Sequence, residues 1–285
     1  MMVTSPSDEQ LSQFVAGVFD RSAETYDAVG VAWFTPIAEL LVSELAPQPG
    51  EHALDIGCGR GAALWPLAQA VGPAGAVTGI DLSKAMVEAA RKDVLTQGLA
   101  NVDLQVMNAA KPELPAHSYD LIASSLVLFF LPDPLAALRS WHGLLAPGGR
   151  MGVSTFDNQD PNWVALDDVF TPFLPPQMLD ARASGTRGPF ASDAGVAELL
   201  TNAGLVDVET TSTDLVAVFN DAEHWLTWSW SHGQRAMWEA VPDADRAAVR
   251  AGATELLESI ATVGGRIELT QRVRFTVGSA QPVAP

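Results

Sequence analysis

Leu54-Asp55-Ile56-Gly57-Cys58-Gly59-Arg60-Gly61 sets an acidic residue and three glycines at the point where a strand-like run gives way to a helical one. Residues 51–56 read as a strand that stops at Gly57, and residues 61–71 as the helix that follows. Glycine takes positive φ and lets a ligand approach the backbone closely. The first turn of the helix offers N–H groups without intrahelical partners, so the crevice beyond the strand end is a nucleotide site. Gly57-x-Gly59-x-x-Ala62 also meets the relaxed dinucleotide fingerprint, which leaves two cofactor classes in play. Asp55 separates them. A pyrophosphate gains nothing from a carboxylate two residues upstream of the turn, whereas an ammonium or sulfonium does.

Further along, Val77-Thr78-Gly79-Ile80-Asp81-Leu82-Ser83 reads as a second strand ending in an acid, and residues 102–107 as a third, followed by Asn108-Ala109. Tyr119-Asp120-Leu121-Ile122-Ala123-Ser124-Ser125 and the loop to Pro134 form a fourth, and Leu144-Leu145-Ala146-Pro147-Gly148-Gly149-Arg150 turns into a fifth. In this order the elements resemble class I S-adenosylmethionine-dependent methyltransferases. The resemblance implies an α/β fold, a Rossmann-like doubly wound seven-stranded sheet, mostly parallel with the last strand antiparallel. It also implies S-adenosyl-L-methionine as cofactor. Asp55, Gly57, Cys58 and Gly59 would form the cofactor turn and Asp81 would accept the ribose hydroxyls. Leu82, Met86, Asn108, Ala109 and Ser124 would complete the cofactor set. Asn108 stands where the family usually has Asp, and an amide can still meet the adenine edge.

With 16 Lys and Arg against 34 Asp and Glu, the chain carries a net charge of −18, which argues against nucleic acid and anionic membrane surfaces as partners. The first ten residues lack the basic and apolar regions of a secretory signal, and the apolar run 126–131 is too short to span a bilayer. A cytoplasmic protein, monomer or homodimer, is the expectation. The single cysteine, Cys58, forms no intrachain disulfide and reads as packing. Five scattered histidines lack the paired spacing of a metal site, so none is expected.

Residues 1–46 are expected to form an N-terminal helical cap, beginning with the capping-box pattern Ser7-Asp8-Glu9-Gln10 and an apolar stripe from Leu11 to Phe19. Residues 47–285 form the cofactor-binding domain. Within it, residues 157–190 read as an irregular lid, 192–204 as a helix, 206–219 and 266–277 as strands six and seven, and 221–264 as two inserted helices. The tail after Gly278 reads as frayed. This layout resembles small-molecule methyltransferases of the ubiquinone-biosynthesis type, whose substrate pockets are built from such additions.

The segment after Asn220 holds Trp225, Trp228, Trp230 and Trp238, half of the eight tryptophans. At helical spacing Trp225, Trp228, Ser229 and His232 share one face, a candidate border for a hydrophobic small-molecule substrate; Leu226, Trp230, Gly233 and Met237 share another, which reads as core. Relatives carry a histidine pair after strand four, where this chain has Phe129-Phe130, so Phe129 becomes a substrate contact and the base must lie elsewhere. His232 is the first candidate, His224 the second and His142 the third. Tyr26-Asp27 resembles the family's N-terminal segment that closes over the cofactor, and the resemblance implies a catalytic-site Tyr26 facing the methyl group or the methionine moiety. The implied activity is O-methylation of a hydrophobic small molecule in specialised, polyketide-type biosynthesis. The missing histidine pair keeps a second reading open, a methyltransferase-like cyclase that binds the cofactor without consuming it and promotes an intramolecular cycloaddition.

Overall fold

The computed structural model describes residues 7–174 and 186–282. Seven strands form one sheet: β1 (His52–Ile56), β2 (Ala76–Asp81), β3 (Val102–Val106), β4 (Tyr119–Ser125), β5 (Leu145–Gln159), β6 (Val206–Phe219) and β7 (Ile267–Ser279), in the order β3-β2-β1-β4-β5-β7-β6. The first five pair in parallel, and β7 runs antiparallel to both β5 and β6. β1 and β4 are almost wholly buried, as central parallel strands covered on both faces must be. The chain builds outward from β1 to β3, then returns to lay β4 on the other side of β1. That reversal opens a crevice at the carboxyl ends of β1 and β4.

Helices follow their end signals. In α1 (Asp8–Ser22) the Ser7 hydroxyl accepts from the Gln10 amide while the Gln10 side chain accepts from the Ser7 amide, the reciprocal pair expected from the sequence. α2 (Phe34–Leu45) buries Ile37, Ala38, Leu41 and Leu45 completely against the sheet. α3 (Leu64–Val71) starts three residues later than its pattern suggests, because Gly59 and Gly61 both take positive φ and hold the turn open. α4 (Lys84–Gln97) is capped by Ser83, and α5 (Pro134–His142) by Asp133 with Pro134 at its first position.

Two expectations change. The segment after β5 is not irregular at its start: Asp160 caps α6 (Pro161–Asp168), and short 3₁₀ turns follow at Thr171–Phe173 and Gly188–Ala191. An Asp-Pro pair is a cap followed by a first helical residue, a signal outweighed in the sequence by the Pro and Phe content. Part of the expected lid, residues 175–185, lies outside the described residues. α7 (Asp193–Asn202), capped by Ser192, leads into β6.

The insertion holds three helices rather than two: α8 (Ala222–Ser229), α9 (Arg235–Ala240) and α10 (Arg246–Ser259). The hydroxyls of Ser229 and Ser231 donate to the carbonyls of Leu226 and Trp228, which ends α8 early. The chain then folds back so that Trp238 stacks on Trp230, ring centroids 5.5 Å apart. The tail is less frayed than expected as far as it is described, since the Ala280 amide donates to the Gly149 carbonyl and Gly148 donates to Gln281.

Candidate active site

A cavity of about 220 Å3 opens at the crevice. Asp55, Gly57, Cys58, Gly59 and Arg60 of the glycine turn line one side, with Trp65 of α3, Asp93 of α4 and Ser125 at the end of β4. Tyr26, Asp27, Phe34 and Thr35 close it from the N-terminal segment.

The turn is fastened from behind. The amides of Gly57 and Cys58 both donate to the Ile80 carbonyl, at 2.8 and 2.9 Å, and the Gly59 amide donates to Asp81 at 2.9 Å. Asp81 also accepts from the Ser83 amide at 2.8 Å. Burial raises its carboxyl above the ordinary range, against the opposing pull of those two amides.

Asp55 is 1% exposed. Its Oδ2 has no hydrogen-bond partner although it is buried. Burial, with the neighbouring charge of Asp81, pushes its carboxyl up to about 8, and the Leu64 amide at the start of α3 acts the other way. A dry carboxylate with an open oxygen beside a cavity is a receptor for a cationic or hydrogen-bond-donating group. The arrangement fits an amino-acid ammonium and offers nothing to a pyrophosphate.

Cys58 is buried, and burial with the charges of Asp55 and Asp81 raises its thiol well above the usual range, so it stays protonated and unreactive.

The remaining sequence-derived cofactor positions lie at and beyond the ends of β2 and β3, and none of Asp81, Leu82, Met86, Asn108 and Ala109 is among the residues that line the cavity. Leu82 follows Asp81, and Met86 is buried in the first turn of α4, its amide donating to Ser83. Asn108 is exposed after β3, its side-chain oxygen accepting from the Ala110 amide, and the Ala109 carbonyl accepts from the Trp141 indole at 2.7 Å. Ser124 is a correction: strand alternation turns its hydroxyl inward to the Ile56 carbonyl, and the next residue, Ser125, lines the cavity. The loop then strains, with Leu126 at φ 58° held by the hydroxyl and carbonyl of Ser154.

The N-terminal segment is tied across the site. Asp20 of α1 accepts from the Ser83 hydroxyl and the Ala85 amide at the start of α4. Arg60 donates to the carbonyls of Ala23 and Glu24 and to Asp93. Tyr26 stacks on Phe34 at 4.5 Å, and burial holds its hydroxyl well above the usual tyrosine range.

His232 lies in the turn between α8 and α9, not on the helix that carries Trp225, Trp228 and Ser229. Its ring sits 4.1 Å from that of Trp228 and 5.6 Å from that of Phe34. Its Nδ1 accepts from the Gln234 amide at 3.3 Å, which places the proton on Nε2, and Nε2 is buried without a partner. Burial pushes the ring down to about 3. A neutral imidazole with its basic nitrogen occupied is a hydrogen-bond donor and a poor general base, which corrects the role expected for it. His224 is no substitute, with Nε2 on the Val29 carbonyl and Nδ1 accepting from Asn220. His142 sits beside Gly204, away from the cavity.

Among the expected substrate contacts, Trp225 is fully buried and Ser229 accepts from the Trp238 indole at 2.8 Å, which makes both part of the packing between insertion and sheet. Trp228 belongs to an aromatic cluster with Trp33, Trp163 and Phe219. Phe129 packs against Phe130, Phe156 and Phe190. Ser125, Arg60, Phe34, Trp65 and Asp93 were not foreseen. Only Arg60, inside the glycine run, carried a sequence signal.

A doubly wound sheet with an acid-ended, glycine-turned first strand and an acid at the end of the second defines a nucleoside-cofactor enzyme whose ligand bears a positive charge. Residues 53–149 match the methyltransferase domain family. The chain is 36% identical over 280 residues to nocamycin O-methyltransferase of Saccharothrix syringae, covering 93% of this chain and 98% of the relative. It is 42% identical over 173 residues to aklanonic acid methyltransferase DauC of a Streptomyces species, covering 61% of this chain and 79% of the relative. The fold is also that of the [4+2]-cyclase SpnF, with a TM-score of 0.57 at 18% identity over 99% of this chain and 98% of that one. The chain belongs to the S-adenosylmethionine-dependent methyltransferase family.

Proposed function

We propose that the protein methylates an oxygen of a hydrophobic small molecule in specialised, polyketide-type biosynthesis. The observation that carries this reading is the near full-length similarity to an O-methyltransferase, joined to a cavity where an open buried carboxylate meets aromatic walls. S-adenosylmethionine supplies, when bound, an electrophilic methyl on a sulfonium centre. Asp55 receives its ammonium, Asp81 its ribose hydroxyls, and Asn108 with Ala109 the adenine edge. Removing a charge-assisted pair of hydrogen bonds is costly, so Asp81→Ala should weaken S-adenosylhomocysteine binding at least ~10-fold by calorimetry. Unchanged affinity would remove the ribose role.

On the acceptor side, Tyr26 and His232 each offer a protonated donor, and Phe34 lies between them in contact with both rings. Among the described residues at this face, neither is suited to take a proton at neutral pH. The acceptor hydroxyl therefore carries its own acidity, as a carboxyl or an enol does, and the two donors orient the resulting oxyanion. His232→Phe should lower kcat about 10-fold without moving the pH profile; a lost acidic limb would restore His232 as a base. The acidic surface and small cavity suit a cytoplasmic enzyme, monomer or homodimer, that does not act on nucleic acid.

The test is incubation with methyl-labelled S-adenosylmethionine and aklanonic acid, or extracts containing related acids. Label in the product, with one S-adenosylhomocysteine per turnover, supports methyl transfer. An isomer of unchanged mass without S-adenosylhomocysteine would replace this reading with the cyclase.

A further inference from the structure

β7 carries an arginine that methyl transfer does not explain. Arg274 is 1% exposed and lies at mid-sheet, opposite Thr155 of β5. Its Nε donates to Asp193 at 2.6 Å and its Nη2 pairs with Asp157 at 2.9 Å. Its Nη1 is within reach of the Phe156 carbonyl at 3.1 Å, the Phe190 carbonyl at 3.3 Å and the Thr155 hydroxyl at 3.4 Å. Asp157 lies within the last residues of β5, and Asp193 is the first residue of α7. One guanidinium thus ties the end of β5 to the start of α7.

The two residues whose carbonyls it binds also pack their rings on Phe129, at 5.5 Å for Phe156 and 6.3 Å for Phe190. Phe129 continues through Phe130 and Phe19 to Tyr26 at the cavity. We propose that Arg274 is a positioning residue for the acceptor side of the site: it ties Asp157 near the end of β5 to Asp193 at the start of α7 and so holds Phe156 and Phe190 against Phe129. The planar fork suits the task, since it reaches two carboxylates and two carbonyls at once, which a lysine cannot. The consequence for the acceptor rests on the methyl-transfer reading, whereas the clasp itself can be read without any acceptor.

Removing the fork leaves both acids with recourse. Asp157 keeps Arg272 at 3.3 Å, and the Asp193 side chain is 59% exposed. Hydrogen exchange on the full chain, read by mass spectrometry, tests the proposal. In Arg274→Lys, amides in 154–157, 187–193 and 126–131 should exchange at least ~5-fold faster, with 52–81 unchanged and S-adenosylhomocysteine affinity within about twofold. Asp193→Asn should give the same pattern at smaller amplitude, and it decides the matter alone if Arg274→Lys yields no folded protein. A uniform rise that includes 52–81, or a rise at 187–193 with none at 126–131, would overturn the clasp.

Discussion

Asp55→Asn is expected to stabilise the ligand-free protein at pH 8 while weakening S-adenosylhomocysteine binding at least ~100-fold. The carboxyl titrates near 8 in the folded chain against an ordinary value of 3.8, so between those values the folded state binds more protons than the unfolded one. Stability therefore falls as pH rises from about 4 towards 8, and the cost is fully present above 8. An amide of the same shape has no charge to desolvate, and the gain at pH 8 should be up to about 5 kcal/mol. The same ionisation is what a cationic ligand needs. Affinity in the native protein should rise with pH up to about 8, with proton release visible as a calorimetric enthalpy that changes with the buffer's ionisation enthalpy. A lowered melting temperature at pH 8, or buffer-independent heats, would contradict this account of Asp55.

Gly57→Ala should cost about 3 kcal/mol and abolish detectable cofactor binding. Gly57 has φ 73°, and a Cβ there would lie 2.3 Å from Cγ2 of Val127 and 3.0 Å from its Cγ1. Val127 cannot retreat easily, because Leu126 before it is already in the left-handed region and bound to Ser154. The clash and the backbone strain can be separated. Val127→Ala in the Gly57→Ala background should recover roughly 1 kcal/mol, leaving the φ penalty. Strict additivity of the two substitutions in thermal melts would show that Val127 is not what excludes a side chain at position 57.

The elements that carried strong local signals were legible before the structure. β6 spans the residues expected, the Ser7 capping box forms as written, and the glycine turn sits at the end of β1. The site was legible where it lies along the chain: Asp55, Gly57, Cys58 and Gly59 line the cavity together with Tyr26. The tryptophan segment was harder. Spacing alone put His232 and Ser229 on one helical face, but serine hydroxyls bonding back to the preceding turn end α8 at Ser229, and Ser229 is held by an indole nine residues on. Ser124 and Ser125 differ by one position in a strand. Which of them meets the cavity depends on the register with β1 and β5, which the run of residues does not display.

By itself the sequence determined the succession of strands and helices, because periodicity, caps and a requirement for positive φ are properties of neighbouring residues, and its motifs carried the resemblance that implied the family and the cofactor. Only the tertiary structure decided that Asp55 is dry enough to titrate near 8, that His232 is a neutral donor, and that Arg274 joins Asp157 to Asp193. Desolvation and pairing are set by residues that meet in space from distant parts of the chain, and no local pattern specifies who those neighbours are.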